Sequence, residues 1–228
     1  MTSERRIPML TGLLFIAATA FSLASTSIIG PILGANDYLA SASANASRMI
    51  LGVLLLIAAA GSIVLIPALL FPVLRRYNES IAIGYFGLRI IEAVTLVVDA
   101  IALLLLVSTG QQYVKAGPTG SSYFQAAGTL WLAAHNWIFG LNPVVFGLGA
   151  LMFYLLLYRC RLIPRWLSGW GFLGAALIVV FGLEGMFGTS LMYLSFPIAV
   201  QEMAMALWLI VKGFNPSSAF PSTPRTYS

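Results

Sequence analysis

The chain has 228 residues, of which 60% are hydrophobic and only 8% are charged, with a formal net charge of +5. Nineteen full charges cannot solvate the surface of a 24.5 kDa globule, and a mean hydropathy of +0.94 describes an integral membrane protein instead. A single cysteine, Cys160, excludes a disulfide scaffold, and so sparse a positive charge excludes a nucleic-acid-binding domain.

Six stretches reach the roughly 20 mostly apolar residues that a membrane helix needs. The first runs from about Ile7 to Ile29 and is predicted to stop at Gly30-Pro31. Its basic start and Ser22-Leu23-Ala24 would suit a signal peptidase, but the apolar run continues to Leu33, so this span is expected to be retained. An external loop is predicted from Pro31 to Ser47, carrying Asp37, Tyr38 and the glycosylation pattern Asn45-Ala46-Ser47. The second span runs from Met49 to Leu74 and the third from Ser80 to Val107. Ser108 to Ser121, rich in Gly, Ser and Thr, is predicted as a second external loop.

The fourth span ends near Tyr158, but its start is unmarked. From Ser122 onward only Pro143 interrupts, and a helix of that length would be about 50 Å long, more than a bilayer core. One long tilted or Pro-kinked helix and an interfacial turn feeding the span both fit. The fifth span runs from Trp166 to Phe187 and the sixth from Leu191 to Val211. The fold class is all-α: a polytopic membrane protein with a six-helix transmembrane bundle in one domain, residues 1–214. A Pro/Ser-rich tail, residues 215–228, is expected to be disordered and cytoplasmic.

The basic residues set the expected orientation. Arg5, Arg6, Arg75, Arg76, Arg159, Arg161, Arg165, Lys212 and Arg225 fall on one side, and only Arg48 and Lys115 on the other. That asymmetry places both termini in the cytoplasm and predicts a reduced thiol at Cys160. Trp166, Trp170 and Trp208 then lie near the inner interface, and Trp131 and Trp137 near the outer one. The stretches around Arg75-Arg76 and Arg159 to Arg161 faintly echo each other, as basic hairpins entering Gly-rich helices.

Gly169-Trp170-Gly171-Phe172-Leu173-Gly174 matches a dinucleotide fingerprint, but it opens a membrane span, where small residues serve close helix packing. No cofactor is evident. No G-x-S-x-G elbow occurs, only one His is available as a base, and Lys115 and Lys212 lie outside the spans.

Five ionisable residues lie within spans, where charge is costly and marks function by default: Arg89, Glu92, Asp99, Glu184 and Glu202. Arg89, Glu92 and Asp99, with Tyr85, share one face of the third span. At about 1.5 Å per residue, Arg89, Glu92 and Glu202 reach one inner layer, with Gln201 beside them. Asp99 and Glu184 reach an outer layer with His135, Asn136 and Asn142 of the fourth span. One Arg between two carboxylates leaves excess negative charge, relieved by a proton, a bound cation or water. The inner layer also fits a buried ion pair that fixes helix register. The outer layer fits a metal held by His135, Asp99 and Glu184, although one His is few for zinc, and it also fits a merely wet interface.

Several segments together resemble the bacterial membrane proteins grouped as domain-of-unknown-function family 4386. They are Asp37-Tyr38-Leu39, Phe71-Pro72-Val73-Leu74-Arg75-Arg76 with Asn78-Glu79, and Arg89-Ile90-Ile91-Glu92-Ala93. Leu162-Ile163-Pro164-Arg165-Trp166-Leu167-Ser168, Pro197, Gln201-Glu202-Met203 and Trp208 to Asn215 complete the set. The resemblance implies a polytopic bacterial membrane protein and no activity. It places Arg89, Glu92 and Glu202 in motif segments.

The function ranked first is binding or transport of an ion, proton or small amphipathic molecule through the buried polar layer of the third and sixth spans. A non-catalytic accessory subunit comes second, and an intramembrane metal-dependent enzyme near the outer leaflet third. The expected partners are the lipid bilayer and a small ligand, proton or cation, with no nucleic acid.

Overall fold

In a computed structural model, which describes residues 3–189 and 191–215, every regular element is a helix. The order is α1 (Ser3–Leu33), α2 (Tyr38–Ala44), α3 (Ala46–Leu74), α4 (Glu79–Cys160), α5 (Arg165–Met186), a 3₁₀ turn (Met192–Ser195) and α6 (Phe196–Val211). Gly117, at φ 64°, breaks α4 into two limbs, α4a (Glu79–Gly117) and α4b (Ser121–Cys160). Six of the described helices are long and apolar enough to cross a membrane. The chain is a multi-pass helical bundle. Residues 216–228, the greater part of the predicted tail, lie outside the described residues.

The helices close a ring. α1 packs on α3 and α6, α3 on α4, α4 on α5, and α5 on α6. The largest core cluster lies at the end where α3, α4b and α6 finish, and includes Phe15, Leu74, Tyr85, Phe153, Tyr154, Leu162 and Leu209. Asn215 ties that end together: its backbone N–H donates to Leu162 O (2.9 Å) and its Nδ2 to Arg161 O (2.6 Å). Glycines set the helix spacing. A Cβ on Gly12 would lie 2.5 Å from Ala206 O, and one on Gly174 would lie 3.0 Å from the Cα of Ile198. A Cβ on Gly171 would enter the ring of Tyr154. The glycine-rich stretch from Gly169 to Gly174 is therefore a packing surface, as its place in a span indicated.

Three expected boundaries are corrected. Gly30-Pro31 does not end the first helix: α1 carries Pro31 inside it and runs on to Leu33, and Gly34 N donates to Gly30 O at 2.9 Å. The segment from Ser108 to Ser121 is largely helix. Ser108 and Thr109 donate to Leu104 O and Leu105 O one turn back, so their hydroxyls ride on the helix, and only Gly117 departs from it. Within the predicted Pro31–Ser47 loop, Asp37 caps a short helix by accepting from Ala40 N at 3.0 Å.

That short helix has a role where the two limbs of α4 meet. The two limbs have 39 and 40 residues, so each is about 60 Å long, twice a hydrocarbon core. The single long helix is thus the alternative realised for α4b, with Pro143 inside it. α2 straps the two limbs. Leu39 is buried between Gly110 and Gly128, Tyr38 Oη meets Thr129 Oγ1 at 3.3 Å, and Tyr113 Oη donates to Asp37 Oδ2 at 3.4 Å.

Candidate functional site: a polar cleft inside the ring

The i, i+3 spacing on α4a brings Arg89 and Glu92 together: Nη1 to Oε2 is 2.8 Å, and both side chains are buried. The guanidinium lies among three rings, with Cζ 5.8 Å from the centroids of Phe15 and Tyr85 and 5.2 Å from that of Phe146. Such faces stabilise a desolvated cation. Arg89 Nε and the Tyr85 hydroxyl, both buried, meet no partner at hydrogen-bond geometry among the described residues.

Glu202 reaches the same space from α6. With Arg89 and Glu92 it lines a cavity of about 240 Å³, to which α1, α3 and α4b add Ser22, Ile66 and Asn142. Glu202 makes no hydrogen bond or ion pair with a described residue. The inner layer is therefore one Arg, one paired Glu and one unpaired Glu. Gln201 does not belong to it. Its side chain points to the opposite side of α6, where Nε2 donates to Leu167 O (3.0 Å) and Oε1 accepts from the Tyr154 hydroxyl (2.6 Å). Adjacent helical positions diverge by about 100°, and the helix cannot aim both inward.

The outer layer is smaller than expected. His135 Nδ1 and Asp99 Oδ1 lie 2.6 Å apart. They line a second cavity of about 220 Å³ with Ser22, Ser25, Thr26 and Asn142. Glu184 is not there; it accepts a short bond from Thr189 at the end of α5. Equal depth on α5 did not bring it inward, because α5 contributes nothing to either cavity. No group of three His, Cys, Asp or Glu side chains able to hold a metal occurs among the described residues, so the trio of His135, Asp99 and Glu184 is not assembled.

The two layers adjoin. Asn142 and Ser22 line both cavities. Asn142 Nδ2 donates to Thr95 Oγ1 (2.7 Å) and approaches Glu92 O (3.4 Å), joining α4b to the inner ion pair. The side of α1 that faces the cleft carries Thr19, Ser22, Ser25 and Thr26. Elsewhere in the spans hydroxyls turn back to their own helix, as Thr11 does to Ile7 O and Ser27 to Leu23 O. These four make no hydrogen bond with any described residue. They were missed in the sequence, although a hydroxyl every three residues from Thr19 to Ser25 is a visible stripe on one helix face.

A family model described as Domain of unknown function (DUF4386) matches residues 10–213. No curated protein and no solved structure matches the chain. The match covers nearly the whole bundle, including the ring, the cleft and every residue that lines it, and the chain belongs to the DUF4386 family.

Proposed function

We propose that this is a bacterial inner-membrane protein, with both termini cytoplasmic, that binds and passes an ion, a proton or a small amphipathic molecule along its interior cleft. One observation supports this reading above the others. Two cavities that share Ser22 and Asn142 run from Arg89, Glu92 and Glu202 to Asp99 and His135, and the hydroxyls of Thr19, Ser22, Ser25 and Thr26 make no hydrogen bond with any described residue. Polar groups in a membrane interior are tolerated where they meet each other, water or a ligand. Four unsatisfied hydroxyls beside an unpaired carboxylate call for water or a ligand.

The test is flux. Purified protein in liposomes with an entrapped pH dye, and separately with a monovalent-cation dye, is expected to move one of the two solutes down an imposed gradient. Glu202→Gln and Glu92→Gln are each expected to slow that flux by tenfold or more. Flux equal to that of empty liposomes in both assays, or unchanged in both variants, overturns the carrier reading.

An accessory role is favoured by a different observation, the completeness of the Arg89–Glu92 pair within one helix and its enclosure by three rings. In that reading Glu202→Gln is silent in every assay.

A further inference from the structure

We propose that Ser25, His135 and Asp99 form a nucleophilic site for long-chain acyl esters at the outer end of the cleft. The lone His of the chain is held as an acyl-transfer base needs to be held. Asp99 Oδ1, 2.6 Å from Nδ1, accepts the ring's N–H there and leaves the Nε2 lone pair for a proton. The pair is largely shielded, with side-chain exposures of 20% for His135 and 11% for Asp99.

Ser25 lines the same cavity, is only 3% exposed, and makes no hydrogen bond with any described residue. On a membrane helix the default for such a hydroxyl is the carbonyl one turn back, which Thr11 and Ser27 take on this same helix. Ser25 Oγ is instead left to the cavity. It does not touch His135 in this structure; such bonds commonly tighten only when substrate is bound.

Beyond these and the polar Ser22, Thr26 and Asn142, the cavity wall is apolar, with Ile29, Leu56, Leu103 and Phe139, and suits an acyl chain. Its mouth lies where Thr26, Gly30 and Phe139 are exposed, in a seam where α1 makes no extended contact with α4. An ester carried in the bilayer reaches Ser25 through that seam.

The chemistry balances without a cofactor. Ser25 Oγ attacks the ester carbonyl carbon while its proton passes to His135 Nε2. The carbonyl π pair moves to oxygen and then returns, expelling the alkoxide, which takes the proton from His135 and leaves as alcohol. Water then attacks the acyl-Ser25 ester, gives a proton to His135, and releases the fatty acid as Ser25 recovers that proton. The Ser22 hydroxyl, one turn away and without a hydrogen-bond partner among the described residues, is the donor available to the oxyanion. Asn142 is not, since its amide is engaged with Thr95 and Glu92.

The test uses full-length protein in detergent or liposomes and a long-chain alkyl fluorophosphonate. Mass spectrometry is expected to locate one covalent adduct on Ser25. Ser25→Ala is expected to abolish it, and His135→Gln and Asp99→Asn to slow it by 100-fold or more. Ser27→Ala, whose hydroxyl lies outside the cavity, is expected to label at the wild-type rate. Melting curves establish that each variant is folded. A fluorogenic long-chain ester is expected to follow the same order. No adduct on folded wild-type protein, an adduct on another residue, or unchanged labelling of folded His135→Gln overturns the proposal.

Discussion

Arg89 is tolerable inside a span only because Glu92 and three aromatic rings replace its hydration. Removing one partner of a buried pair leaves the other charged and alone, at a penalty of about 3–5 kcal/mol. Arg89→Ala is therefore expected to lower the melting temperature in detergent sharply, and Arg89→Leu with Glu92→Leu to recover most of the loss. Glu202 makes no hydrogen bond or ion pair with a described residue, so Glu202→Gln is expected to leave the melting temperature unchanged or raise it while altering flux. Equal thermal losses in Arg89→Ala and Glu202→Gln would show that both carboxylates pair with the guanidinium. At this scale the inner triad was legible, because i, i+3 spacing and depth need only a helix to be meaningful. Gln201 and Glu184 were misplaced for one reason: depth along a helix says nothing of which side faces inward, and tertiary packing decides that.

Helix contacts in this bundle depend on absent side chains. Gly12 lets α1 approach the backbone of α6, and an added Cβ would meet Ala206 O at 2.5 Å, an atom that cannot rotate away. Gly61 on α3 meets nothing within 4 Å. Gly12→Ala is expected to destabilise by about 1–3 kcal/mol through forced separation of the helices, and Gly61→Ala to be neutral, as read by melting in detergent. A neutral Gly12→Ala would mean that α1 and α6 separate freely. Six spans were legible from apolar length alone. The loop from Ser108 to Ser121 was misread because Gly, Ser and Thr carry two meanings. In water they signal turns. Between packed helices Gly110 admits the backbone of Leu39, and Ser108 and Thr109 satisfy themselves on the preceding turn.

Ring closure, the hairpin and the charge asymmetry bear on one another. The ring puts the ends of α3, α4b and α6 beside the start of α1, where Arg5 Nη2 reaches Val211 O at 3.5 Å. Nearly all flanking basic residues therefore gather at one end, and the strapped hairpin of α4a and α4b stands at the other. Limbs about 60 Å long leave roughly half of each beyond a hydrocarbon core of about 30 Å, which carries exposed Lys115 well clear of the bilayer. The orientation expected from the basic residues makes that end external. Trypsin added to right-side-out vesicles is expected to cut after Lys115 and to spare Arg75, Arg76 and Arg159. In inverted vesicles the pattern is expected to reverse. Cleavage after Lys115 from the inverted side alone would turn the molecule over. It would put the mouth beside Thr26 and Gly30 in the cytoplasmic leaflet, so the orientation also decides which leaflet supplies whatever enters the cleft.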